Sequence, residues 1–568
     1  MLYILRRLSF ILIAIICNAF FITETKADEK QELLEIKNTT LNLIEALVEE
    51  GLLSKEKART LIKKAEAKAA MEAKQAAATN PVAAVAETAE AGAEDTAQKS
   101  GVIRVPYVPQ IVRDEIRQQV KAELREDVLA DVKQTAKQEK WGTPDALPGW
   151  VSRVKFFGDM RVRSANIFYG PDNIPNSYLN FNAINAAGGI IPAGRDAFLD
   201  TTADRYFAQI RARLGMNITV TDNLMAGFRV TTGDLRNPVS TNQFLGNYGG
   251  RYQIDLDWAY LQYDHYTSDH FKWLTLQAGR MPNPWLFTNL VWDDDLSFEG
   301  LIAQFRADLG SDDSLYAMDE SGRTFFLTTG ITPLQGAGQL NQFDFIDKWL
   351  LGGQTGLEWT FENQSNAKLG VAYYYYKNVE GVRNTFNSTA ENKTAPLFVQ
   401  KGNSMFDINN DNDPTTNLFA LASKFHILNI TGRYDYAGFA PIHVIATADY
   451  ARNFGFNQNE VLNRTGILFA PRVNAWQAIL QVGWPKIRKW ADWNLFLAYK
   501  YLERNAVLDA FTDSNFHFGG TDAKGFIVGG RFGLTYHTAL QLRWFSANQI
   551  DGPPLGIDSL LLDLTADL

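Results

Sequence analysis

The chain is 568 residues long, 46% hydrophobic, and carries a net charge of -9 at pH 7. Its mean hydropathy of -0.20 and the lack of any interior apolar run approaching roughly 18 residues exclude a protein that crosses a membrane with helices, while its length exceeds one ordinary soluble domain. The acidic balance offers no concentrated basic face to replace phosphate counterions, which excludes nucleic acid as a partner.

In chain order, residues 1–27 read as an export signal. Arg6 and Arg7 precede an apolar run from Leu8 to about Phe21, and Thr25-Lys26-Ala27 places a small residue where cleavage is expected. The run is short for a membrane anchor. Cys17, the one cysteine, follows bulky Ile16 inside it, which argues against lipid attachment; its removal leaves no disulfide or thiol chemistry. Residues 28–78 show a helical period, with Leu34, Leu41 and Val48 one heptad apart and Ile44 between them. Gly51 ends that helix, Ser54 caps a second, and Glu56 sits in the positive first turn, so the unit reads as a helical hairpin. Residues 79–105, mostly Ala, Glu, Thr and Gly, bury too little apolar surface to offset their ordering entropy and read as a disordered linker. Residues 106–148 open with Pro106 and Pro109 and continue as a charged helix whose apolar residues Val112, Ile116, Val120, Leu124, Val128 and Val132 fall every four positions. That step drifts around the helix, so a solvated helix and a coiled-coil oligomerisation stalk both stay open.

From Val151 the period changes to two and persists to the C-terminus, so residues 149–568 read as one β unit. In Tyr206-Ala208-Ile210-Ala212-Leu214-Met216-Ile218 every second residue can face lipid, while Arg205, Gln209, Arg211, Arg213 and Asn217 fill the alternate positions. After a tight turn at Thr221-Asp222-Asn223, Leu224, Ala226, Phe228 and Val230 share one face, with Gly227, Arg229 and Thr231 on the other. The pattern recurs with Arg161 and Arg163, with Lys500, with Arg531 and with Arg543 on the enclosed face. A soluble sandwich alternates too, but a packed core tolerates unpaired arginine poorly, whereas a water-filled lumen accepts it. Strands are predicted near 153–164, 204–220, 224–232, 253–264, 271–280, 296–307, 323–332, 349–362, 367–378, 425–436, 441–453, 475–484, 491–503, 524–537, 539–547 and 558–568, with short turns alternating with long loops. The fold class is thus an all-β transmembrane barrel of about 16 antiparallel strands, preceded by an α-helical region whose periplasmic placement comes from the resemblance described next.

These segments also carry a resemblance. Ala259-Tyr260-Leu261-Gln262-Tyr263, then Leu276-Gln277-Ala278-Gly279-Arg280-Met281-Pro282-Asn283-Pro284, then Val291-Trp292-Asp293-Asp294-Asp295 through Glu299-Gly300 resemble the family of putative porins of Gram-negative bacteria. So do the Leu-rich helix ending in Leu47-Val48-Glu49-Glu50-Gly51-Leu52-Leu53-Ser54, the Val105-Pro106-Tyr107-Val108-Pro109 element, and Trp150-Val151 leading into Gly158-Asp159-Met160-Arg161-Val162-Arg163. The resemblance implies an outer-membrane barrel surrounded by lipid and lipopolysaccharide, inserted by the barrel assembly machinery, with its N-terminal region in the periplasm and a passive diffusion function. The coiled-coil reading of residues 106–148 adds a homotrimer, and contact of the N-terminal helices with peptidoglycan belongs to the alternative in which the barrel anchors a tether. One departure is the C-terminus: Leu560, Leu562, Leu564 and Ala566 keep the outward spacing, but the final residue is Leu568 where such barrels usually end in an aromatic.

In a porin of this kind the third long loop commonly folds into the pore. Here it is predicted over about 281–295, which sets Asp293, Asp294 and Asp295 against the basic wall residues as candidates for a charged constriction; a solvated loop or a surface patch with affinity for calcium is the plainer alternative. The basic candidates are Arg161, Arg163, Arg205, Arg211, Arg213, Arg229, Arg531 and Arg543, and their excess hints at anion preference. The six histidines, His265, His270, His426, His443, His517 and His537, are scattered, and no metalloprotease, paired-cysteine or serine-hydrolase motif accompanies them, so neither an enzyme nor a cofactor is expected. The acidic loop at Asp407, Asn409, Asn410, Asp411, Asn412 and Asp413 lacks EF-hand spacing and reads as a solvated loop. A substrate-specific channel would use an aromatic slide, for which Tyr373 to Tyr376 beside Trp359 are candidates, though an interfacial girdle explains them equally. An envelope tether or adhesin anchored by the barrel is the remaining alternative.

Overall fold

A computed structural model describes residues 151–310, 322–336 and 348–568. The export signal, helical hairpin, linker and charged helix expected before residue 149 lie outside the described residues.

Sixteen strands form one antiparallel barrel: β1 (Val154–Tyr169), β2 (Arg205–Thr221), β3 (Leu224–Thr231), β4 (Asp255–Tyr266), β5 (Lys272–Pro282), β6 (Ser297–Asp308), β7 (Gly322–Gln335), β8 (Lys348–Thr360), β9 (Asn366–Lys377), β10 (Phe425–Phe439), β11 (Ile442–Asn453), β12 (Asn474–Gly483), β13 (Trp493–Leu502), β14 (Ala523–Thr535), β15 (Thr538–Gln549) and β16 (Gly556–Asp567). Each pairs with its sequence neighbours, and β1 pairs with β16 through registers such as Val162 opposite Leu564, which closes the sheet. Closure is what a lipid-embedded sheet requires, because an open edge would leave a row of backbone N–H and C=O groups without partners in hydrocarbon.

Alternation builds the two faces. On β1, Phe156, Met160 and Val162 stand on the outside, while Phe157, Asp159, Arg161, Arg163 and Ala165 point inward; on β16, Leu562 and Leu564 face out and Asp563 and Thr565 face in. Leu568 continues the outward phase, and its N–H bonds the Gly158 carbonyl, so the chain end stays inside the seam. The β1 pairing runs past the predicted end at residue 164 to Tyr169. Ser164 and Asn166 occupy the outward positions there, so the apolar signal stops while the hydrogen-bond ladder continues.

Connections divide by end. At one end lie Asp222-Asn223, 267–271, 361–365, Ala440-Pro441, 484–492 and Tyr536-His537; at the other lie L1 (170–204), L2 (232–254), L3 (283–296), L5 (378–424), L6 (454–473), L7 (503–522) and L8 (550–555), L4 being the number kept for the connection between β7 and β8. L1 carries a short helix, Phe181–Ala187, whose Asn185 side chain accepts from and donates to the backbone of Phe419 in L5 at 2.7 and 2.9 Å. L5 and L7 are tied in the same way, Asn403 donating to the carbonyls of Arg504 and Val507 at 2.6 and 2.9 Å.

The main hydrophobic cluster lies inside the barrel. Ile302, Leu350, Ala372, Tyr374, Tyr376, Phe425 and Ile427 project inward from β6 to β10 and meet Trp285, Leu290, Val291 and Trp292 of L3 and Val507, Leu508 and Ala510 of L7. The Tyr373 to Tyr376 run is therefore divided: Tyr373 and Tyr375 face outward, whereas Tyr374 and Tyr376 are buried beneath L3. Only the outward pair can serve an interfacial girdle.

Candidate functional site

L3 leaves β5 at Asn283 and turns into the barrel. Trp285 packs edge-on to Tyr374, with ring centres 5.3 Å apart. Its indole lies over Gly352 of β8, where an added Cβ would come within 2.7 Å of it, so the close approach depends on that glycine. Gln354, 1% exposed on the same strand, clips the loop backbone: its carbonyl accepts from the Leu286 N–H at 2.7 Å and its amide donates to the Leu286 carbonyl at 2.8 Å. One side chain thereby satisfies both backbone groups, as a neighbouring strand would. Thr288 donates to Asp449 of β11, a buried carboxylate that also accepts from Asn429 and Thr431.

Gln354→Ala should orphan both polar groups of Leu286, at about 1–3 kcal/mol for each buried group left unpaired. The expected readout is a larger, noisier single-channel current with the folded barrel's heat-resistant gel mobility retained; a current indistinguishable from wild type would show that Gln354 does not hold the loop.

The acidic run of L3 does not act as a unit. Asp293 turns away from the lumen into L7: its N–H donates to the Phe511 carbonyl at 2.8 Å and its carboxyl accepts from the Ser514 N–H at 2.8 Å. Burial, together with the nearby carboxylates of Asp295, Asp513 and Asp294, pushes the Asp293 carboxyl well above the usual carboxylate range. Lys500 of β13, fully buried, donates to the Asn289 carbonyl at 3.2 Å and pairs with Asp513 at 2.9 Å, completing the clasp between L3 and L7. Asp294 is exposed to the lumen and makes no ion pair among the described residues. Asp295 lies 3.3 Å from the guanidinium groups of both Arg211 and Arg213 and accepts from Thr241 of L2. Burial alone would raise its pKa, but Arg211, Arg161 and Arg213 hold it below the ordinary carboxylate value.

Opposite this acidic edge, six of the eight candidate arginines gather on the inward faces of β1, β2, β3 and β15, each with an identifiable partner. Asp563 pairs with Arg163 at 2.6 Å and Arg543 at 2.8 Å. Asp159 pairs with Arg211 at 2.7 Å and Arg213 at 2.6 Å. Arg229 pairs with Asp257 of β4 at 2.5 Å and lies 3.3 Å over the Trp258 ring, where the ladder between Arg229 and Val230 is irregular and turns both Asp257 and Trp258 toward it. Arg161 donates to the Asn242 side chain of L2. The other two lie elsewhere. Arg205, at the long-loop end, pairs with Asp200 at 2.8 Å, and Arg531, toward the short-turn end, lies 3.5 Å from Asp567.

Asp159, Asp257 and Asp563 are the residues that the sequence reading passed over. The period that turns Arg161 and Arg163 inward turns Asp159 inward as well, and Asp563 alternates with outward Leu562 and Leu564, so the signal was present. Against six gathered arginines, these three aspartates reduce the basic excess across the wall without removing it.

The remaining candidates are engaged structurally. In the acidic loop Asp407 accepts from the Asn409 and Leu418 N–H groups at 3.0 Å each, and Asp413 from the Thr415 N–H at 2.8 Å. His443 lies 2.6 Å from Asp435, and His517 is buried between Lys401 at 2.6 Å and the Leu555 carbonyl at 3.0 Å. Among the described residues no group of three or more His, Cys, Asp or Glu side chains could hold a metal ion.

Solved outer-membrane structures match the chain at low identity. OprB of Pseudomonas putida, at high pH, is 10% identical over 76% of this chain and 97% of its own, with a TM-score of 0.40. The channel DcaP of Acinetobacter baumannii is 11% identical over 73% of this chain and 97% of its own, with a TM-score of 0.36. A loop-deleted OmpT of Vibrio cholerae is 11% identical over 73% of this chain and 99% of its own, with a TM-score of 0.38. No curated protein sequence matches the chain. At family level the match is nearly complete: the family described as "Putative porin" covers residues 37–568, and this closed sixteen-stranded barrel belongs to it.

Proposed function

We propose that the chain is a passive diffusion channel of the Gram-negative outer membrane for small hydrophilic solutes and ions, narrowed by L3. The observation that carries this reading is the placement of L3. Its aromatic stretch is packed on one side of the barrel interior, and its acidic end, Asp294 and Asp295, fronts Arg161, Arg211, Arg213 and Arg543 of the other. Fixed charges of opposite sign across a narrow aqueous path order a permeating solute and set ion selectivity. The chemistry of such a channel is electrostatic and steric; it needs no catalytic group and no cofactor.

The substrate-specific alternative draws support from one feature. L5 and L7 pack onto L3 inside the barrel, which favours a narrow path over a wide one.

Purified protein in planar lipid bilayers should give stepwise single-channel currents. Deleting residues 28–140 should leave those currents intact, whereas a protein acting as an envelope tether would give no steps with or without the deletion. The absence of discrete conductance from folded wild-type protein would end the channel reading.

A further inference from the structure

The arginine wall is not evenly neutralised. Asp563 serves two guanidinium groups, Arg163 and Arg543, and Asp159 and Asp295 together serve Arg211 and Arg213. Arg161 stands between these sets. In the β1–β2 register it lies directly opposite Arg211, and on its other side it faces Thr565. Among the described residues it has no carboxylate within 4.0 Å. Its one hydrogen bond runs from Nη2 to the Asn242 side-chain oxygen, and its buried Nε has no partner. Like charges set directly opposite each other in a sheet are unfavourable, and a partly buried guanidinium without a counter-ion is costly. Asp295 and Asp563 attract it only at longer range, because each is in direct contact with two other arginines.

We propose that Arg161, with Arg211 beside it, is an anion subsite of the lumen, and that its missing counter-ion is the carboxylate group of a permeating solute. A carboxylate arriving there would meet a charged donor in Arg161 and the positive field of Arg211, and would leave by exchange with water once past it. Asp294, open to the same lumen, would repel it from the facing side and keep its stay short. The assignment rests on the channel reading above and deepens it by naming the solute class: small carboxylates.

The test uses full-length protein in planar bilayers, with succinate as the probe added to potassium chloride. Wild type should show chloride over potassium selectivity and a concentration-dependent reduction of current by succinate. Arg161→Gln should weaken that reduction about tenfold, the scale of one charge-assisted contact, and move the reversal potential toward potassium. Arg161→Lys, which keeps the charge, should recover the reversal potential. Lys486→Gln, exposed in the 484–492 turn and away from the arginine wall, should change neither. A conducting wild type that succinate does not affect, or an Arg161→Gln channel with wild-type block and reversal potential, overturns the subsite while leaving the channel intact. A folded wild type that does not conduct overturns the channel reading itself.

Discussion

Trp292→Ala is expected to release L3 from the barrel interior, raise single-channel conductance, and lower stability by about 3–5 kcal/mol, the usual cost of truncating a large buried aromatic. Trp292 is 0% exposed, with Phe298 and Tyr374 edge-on at ring-centre distances of 5.0 Å and with Tyr376 and Phe511 tilted at 6.4 and 6.1 Å. Three of those partners belong to barrel strands and one to L7, so the ring joins loop, wall and second loop at one point. Its loss removes the packing that each of the others uses. The measurement pairs conductance with the temperature at which the folded band is lost on a heat-modifiability gel. A variant that melts earlier yet conducts as wild type would show that L3 is structural without being the constriction.

The second large effect is expected from Asp295→Asn. Asp295 is the sole L3 carboxylate in contact with the wall, bridging Arg211 and Arg213 at 3.3 Å. With it neutralised, those two arginines retain only Asp159 between them. Breaking one side of a buried charge cluster costs about 3–5 kcal/mol, although the residual exposure of both arginines places the effect at the lower end. The same change adds a net positive charge to the narrow path, so the chloride to potassium permeability ratio should rise roughly threefold or more. Asp293→Asn should not raise it, because that carboxyl faces the L7 backbone and its pKa already lies high. Reversal potentials across a salt gradient separate the two. An equal shift from both variants would contradict the division of the acidic run described above.

Much of the architecture was legible in the sequence because a barrel strand imposes one rule, period two, over a length the membrane sets. All sixteen strands lie where that rule places them, and the errors sit at the ends. The extension of β1 to Tyr169 was hidden because Ser164 and Asn166 interrupt the apolar face above the lipid, while backbone pairing to Tyr206 and Leu560 continues. β6 and β7 pair directly despite the number of residues between them. L3 could be located by counting loops, but its partners could not. Gln354, Asp449 and Lys500 carry nothing in their local sequence that marks them as loop anchors, since each acts on a segment far away in the chain. The role of L7 was likewise hidden, because an irregular loop has no period to betray which of its residues turn inward.

One sign of the filled interior was present and went unused. Val371 to Tyr376 is apolar at every position, a departure from alternation that only makes sense if something apolar waits on the inside as well.

That two-sided strand also bears on how the protein reaches its membrane. Before the barrel closes and L3 docks, residues 369–376 form a stretch of high β-propensity with no charge, no proline and a single glycine, the composition from which intermolecular sheets start. The packing that later seats the loop thus makes β9 an adhesive segment of the unfolded chain, one that has to be shielded before insertion.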